Sequence, residues 1–183
     1  MCGGTAILLR MIDEAFDRKS WHGTNLRGAI RGLTLSEVGW RPEARRHNIW
    51  EIVVHAAYWK YTVRRRLLEE KRGSFPLNGS NWFERPVMGS ALEASWKSDV
   101  ALLVAMHGGL REAVARLTER DLAKVPAGGT VTTLSLLTGI AAHDLYHAGQ
   151  IQLLKRLQAD RSASPVGVDR PVPPARARGG ISS

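Results

Sequence analysis

Cysteine is nearly absent from this chain: Cys2 is the only one among 183 residues. An intramolecular disulfide and any zinc–cysteine cluster are thereby excluded, and so near the N-terminus the thiol makes a poor nucleophile. Long apolar runs are missing too, since none reaches the ~18 residues of a membrane-spanning helix. Arg10, Asp13, Glu14, Asp17, Arg18 and Lys19 stand where a signal peptide would be apolar. The expectations are no membrane partner and a cytoplasmic location. Strand-like alternation and repeats of fixed period are not found either. Acidic residues are outnumbered, 17 Asp and Glu against 26 Lys and Arg, for a net charge of +9. The arginines Arg45-Arg46 and Arg64-Arg65-Arg66, with Lys71-Arg72, could attract nucleic acid. None of the recognised nucleic-acid motifs accompanies them, so a solvated basic helix face is expected instead, with an anionic small substrate as another use of the field.

What remains is helical. Hydrophobic residues are 44% of the chain, enough to fold most of it around one core. Apolar positions recur at helical spacing in four segments. The first runs from about Thr5 to Leu33, with a break near Ser20–Gly23. The second runs from about Asn48, a plausible N-cap, to Lys71. The third spans about Ser90 to Glu119. The fourth begins at Thr132 or Thr133 and ends near Gln158. Four amphipathic helices predict an all-α four-helix bundle over residues 1–158. The long link from Gly73 to Gly89 allows a crossover connection, and its Trp82-Phe83 pair suggests a loop packed over a bundle mouth. Residues 159–183, rich in Pro, Arg and Gly, read as a flexible tail.

The chemistry concentrates in Ala142-His143-Asp144-Leu145-Tyr146-His147-Ala148-Gly149-Gln150. His143 and His147 are four apart on a helix and share a face with Leu136, Ile140 and Ile151, so both imidazoles point toward the core. Buried imidazoles need partners, and one metal ion would satisfy two at once. His55, on the shoulder of the second helix's apolar stripe beside Trp59, offers a third nitrogen. Three protein nitrogens with a position left open are the arrangement of a catalytic metal, whereas a structural site is usually closed by four ligands.

The pattern of His55 within Ile49-Trp50-Glu51-…-Trp59, followed by His143-Asp144-Leu145-Tyr146-His147-Ala148-Gly149-Gln150-Ile151, resembles the DinB superfamily of metal-binding four-helix bundles. Trp21-His22-Gly23 and Thr24-Asn25-Leu26 are similar to the first helix of many members. The resemblance covers about residues 5–158. It implies a DinB-like bundle with long crossover connections, one divalent transition metal (zinc or nickel) held by His55, His143 and His147, and a homodimer as a frequent assembly. Some relatives transfer low-molecular-weight thiols such as bacillithiol or use mycothiol. A thiol cofactor is one expectation for this chain, because it has no usable cysteine of its own.

Other residues are weighed around that centre. Glu51 and Gln150 lie on the ligand-bearing sides of their helices, suited to orient imidazoles. Asp99 interrupts the stripe of the third helix as a partly exposed carboxylate that could reach the metal or serve as a base. His22, on the apolar face of the first helix, and Trp59 are candidates to line a cofactor pocket. His47 and His107 read as surface residues, and Trp50, Trp59, Trp82 and Trp96 mostly as core. The leading expectation is a metal-dependent transferase or hydrolase acting on a small, anionic substrate. A non-catalytic metal-binding stress-response protein is the alternative, and a nucleic-acid-binding module the weaker one.

Overall fold

The computed structural model describes residues 3–86 and 89–163, and every regular element among them is helical. Four long helices build the bundle: α1 (Gly4–Phe16), α4 (Ile49–Leu67), α5 (Leu92–Ala115) and α7 (Thr133–Ala163). Three short ones, α2 (Leu26–Ala29), α3 (Leu35–Gly39) and α6 (Glu119–Leu122), fill the connections. The all-α four-helix expectation therefore holds, with the boundaries shifted. The expected first helix stops at Phe16 because Gly23 turns left-handed at φ 97° and Asn25 starts α2 by accepting from the Gly28 N–H. The last helix continues past Gln158 to Ala163, and residues 164–183 of the expected tail lie outside the described residues.

Local chemistry sets the helix starts. Asn48 caps α4 as its sequence position suggests, and Glu51 closes a capping box with it. Of the two threonines able to cap α7, Thr132 does so, accepting from the Ser135 N–H at 3.2 Å.

Helices α1 and α4 each pack against both α5 and α7, which puts α1 and α4 on one diagonal of the bundle. Directions follow from side-chain pairs. Thr5 reaches Leu117 while Asp13 meets Arg111, so α1 and α5 are antiparallel. Trp50 meets Asp99 while Arg64 lies against Gly109, so α4 and α5 are parallel. Ile52 shares a cleft with Leu153 and Leu154, while Val63 and Arg66 share another with Leu136 and Ile140, so α4 and α7 are antiparallel.

Parallel neighbours joined in sequence demand a return crossover, and the long link provides it. It runs back along α4, with Ser74 at Tyr61, Phe75 at Tyr58, Asn81 at Trp59 and His55, and Arg85 at Asp99 beside Trp50. Aromatic contacts among Tyr58, Phe75 and Phe83 fasten its middle.

The core divides in two. One cluster gathers Trp50, Val53, Leu103, Ala148 and Ile151, and the other Leu8, Ile12, Leu110, Leu137 and Ile140. Between them each long helix contributes a polar side chain: Asp13 from α1, Lys60 from α4, His107 from α5 and Asp144 from α7. Lys60 and Asp144 form a fully buried ion pair, and the Lys60 ammonium also sits 4.8 Å from the centre of the Phe16 ring.

Candidate metal centre

Two antiparallel helices bring three imidazoles to one point. His143 and His147 stand one turn apart on α7, and His55 faces them from α4. The Nε2 atom of His143 lies 3.2 Å from that of His55 and 3.1 Å from that of His147. Tetrahedral coordination with metal–nitrogen bonds of 2.0–2.1 Å would set ligand nitrogens about 3.3 Å apart. His55 and His147 are buried, and His143 is half-buried.

The far sides of the rings fix their tautomers. The Nδ1 of His55 donates to the backbone carbonyl of Asn81 at 2.8 Å, and that of His147 donates to Oε1 of Gln150 at 2.7 Å. The Gln150 amide is itself oriented, because its Nε2 donates to the Tyr146 hydroxyl at 3.0 Å. Both rings therefore direct an Nε2 lone pair inward. His143 can give a proton from its own Nε2 to only one of them. In each neutral tautomer at least one lone pair faces another nitrogen with no hydrogen between.

Electrostatics keep the cluster neutral. Burial, then the nearby His147, His55 and Lys60, push the His143 pKa down to about 3. Burial takes His147 down to about 4 against the raising effect of Gln150, and lowers His55 against the raising effect of Asn81. Neutral imidazoles with convergent lone pairs are the form in which histidine binds a transition metal. Among the described residues, these three form a group of side chains close enough to share one ion. The donor set fits a divalent transition metal.

The crossover loop supplies the roof. Trp82 is sandwiched between His55, at 3.8 Å and 11°, and His47, at 3.6 Å and 4°. Asn81 adopts φ 65°, a left-handed conformation that asparagine tolerates better than most residues. Its carbonyl meets His55 while its side chain accepts from the Trp59 indole at 3.0 Å. Trp59 also presents its edge toward His55 and His143, each 6.2 Å away between ring centres.

Several expected roles fall elsewhere. Glu51 does not orient a ligand: the Arg41 guanidinium and the capping box occupy it, with His47 at 3.1 Å, and these hold its carboxyl below the usual range against burial. Asp99 is buried, not partly exposed, and binds the Trp50 indole at 2.6 Å and Arg85 at 2.7 Å, tying the loop's return to the bundle. His22 is exposed in the turn after α1, because the helix ends before reaching it. His107 is buried against Phe16, with ring centres 3.7 Å apart, rather than on the surface. Gln150 is hydrogen-bonded to the His147 imidazole, on the side of α7 that its sequence position suggested.

Sequence reasoning missed Asn81 and the Lys60–Asp144 pair. Lys60 falls within the apolar stripe of α4, four residues after Ala56, and a charge there signals a buried partner. Asn81 left no comparable signal, because its backbone, not its side chain, makes the contact.

The fold and site define a class: a helical bundle in which two antiparallel helices gather three neutral imidazoles suited to a metal ion. The family model of the DinB superfamily matches residues 19–151, and the chain belongs to that superfamily. Comparisons with curated proteins and with solved structures returned no match. No helix among the described residues is long and apolar enough to cross a membrane.

Proposed function

We propose that the chain is a metal-dependent enzyme in which His55, His143 and His147 hold one divalent transition metal, zinc or nickel, and act on a small molecule by thiol transfer or hydrolysis. The observation that carries this reading is the unshared lone pair in the imidazole cluster: every neutral tautomer leaves two nitrogens facing without a proton, and a cation removes the conflict. When bound, the ion supplies Lewis acidity that lowers the pKa of a water or thiol at its open position. The chain's residues supply the rest. Asn81 and Gln150 hold two ligand rings in the metal-ready tautomer. Trp82 covers the His55 face and excludes water there. A cleft of about 160 Å³ reaches His143, leaving that side of the cluster accessible. This access favours catalysis over a purely structural ion.

The test is elemental analysis of untagged protein purified without chelator, beside His55→Ala and His143→Ala. The expected outcome is near one divalent ion per chain in the parent and loss in both variants. A parent that takes up no metal on reconstitution with zinc or nickel would sink the reading. With metal established, turnover of thiol-acceptor pairs and activated esters separates transfer from hydrolysis.

A further inference from the structure

The cleft beside His143 has a chemical character of its own. It lies between α4 and α7, and its walls are Trp59, Val63, Leu136 and Ile140, with His143 at one end. Val63 and Ile140 are buried core residues, so the floor is fixed by the bundle and does not depend on a loop. Arg66 lines the same cleft. Its neighbours are engaged elsewhere: Arg64 binds both carboxylate oxygens of Glu70, and Arg65 donates to the Glu70 carbonyl. The Arg66 side chain makes no hydrogen bond or ion pair among the described residues, although the residue is half-buried. A half-buried guanidinium beside an apolar slot is the recognition chemistry of an organic anion with a short aliphatic chain.

Gly139 lines the same cleft without a side chain to occupy it. It lies on the outer face of α7 in this cleft, and a Cβ built there would meet nothing within 4 Å.

We infer that this cleft binds a small aliphatic carboxylate, the chain lying on Trp59, Val63, Leu136 and Ile140 and the carboxylate on Arg66, and that it is the substrate site serving the three-histidine centre. The assignment rests on the proposed metal reading for its chemistry, but binding itself is measurable with or without metal.

The experiment is calorimetric titration of hexanoate into the full chain, both metal-free and zinc-loaded, with 1-hexanol and inorganic phosphate as controls. Hexanoate is expected to bind measurably more tightly than either control, which lacks the charge or the chain. Arg66→Gln should weaken hexanoate about tenfold by removing a charge-assisted contact. Gly139→Leu should abolish binding by filling the slot, while keeping the helical spectrum and the zinc content of the parent. Equal hexanoate affinity in the parent and in Gly139→Leu would overturn the site, and equal affinity for hexanol and hexanoate would overturn the role of Arg66. Zinc uptake without hexanoate binding discards the cleft and leaves the metal reading standing. Hexanoate binding by a chain that takes up no zinc keeps the cleft as an anion site and discards both the metal reading and the link to it.

Discussion

Two buried polar groups share helices α4 and α7, Asp144 following His143 directly in sequence, and they solve the problem of burial in opposite ways. Lys60 and Asp144 bring opposite charges together, so the pair cancels its own charge inside the bundle. His55, His143 and His147 bring like groups together: three neutral rings whose facing Nε2 atoms carry more lone pairs than protons. The first arrangement is complete with what the chain supplies, and the second calls for a cation from outside. The same contrast extends to neighbours. Burial raises the pKa of Asp144 against the pull of Lys60, whereas burial lowers the pKa of each histidine. The two burials differ in charge balance, not in depth, since both groups lie in the interior.

The contrast breaks most visibly in acid. An unfolded histidine titrates near 6.5, while His143 and His107 are pushed down to about 3 and His147 to about 4. The folded chain then binds fewer protons than the unfolded one, so stability is fully present above about pH 6.5 and falls as the pH drops toward those folded values. Each of the three should cost about 2 kcal/mol by pH 5, a large share of an ordinary domain's stability when combined. Urea unfolding of chelator-treated protein at pH 7.5 and pH 5 measures it. His143→Gln combined with His147→Gln should flatten most of the dependence, leaving the parts due to His107 and His55. A parent equally stable at both pH values would mean that the folded rings take up protons by pH 5 as readily as unfolded ones, and burial would not be holding the cluster neutral.

The ion pair is the next largest effect. Lys60→Met strands Asp144 in the interior, and such a broken buried pair costs about 3–5 kcal/mol. Lys60→Met with Asp144→Leu removes both charges and should recover most of that loss. Neither change touches an imidazole, so the double variant should still take up zinc. Should it fold stably and yet bind no zinc, the two groups would be one coupled system and the comparison between them would fail.

Much of this was readable from the sequence because helical periodicity reports which side chains share a face. The pairing of His143 with His147 and the inward turn of both follow from a spacing of four. The cap at Asn48 likewise follows from its own neighbours. What escaped was set by contacts distant in sequence. Glu51 has the position of an orienting carboxylate, but Arg41 claims it from outside the helix. Asp99 carries no mark of Arg85 and Trp50 waiting for it. His22 was misplaced because the left-handed turn at Gly23 and the cap at Asn25 outweigh an apolar periodicity that crosses them. The crossover loop was legible in its length and its aromatic pair, but the sandwich of Trp82 between two histidines needed the path of the chain.

The two hydrogen bonds behind the His147 and His55 rings give the smallest effect and the sharpest one. Gln150 orients His147 with a side chain, whereas Asn81 orients His55 with a backbone carbonyl. Gln150→Leu removes the acceptor, frees His147 to place its proton on Nε2, and should weaken zinc about 10–100-fold in competition against a chromophoric chelator. Asn81→Gly keeps both the left-handed backbone and the carbonyl, losing only the contact to Trp59, and should leave zinc affinity close to that of the parent. A chain that binds zinc equally well with Gln150→Leu would show that the His147 tautomer is set by something other than this bond. If Asn81→Gly proved the weaker of the two, the side-chain brace between Asn81 and Trp59, and not the carbonyl alone, would be holding His55 in place.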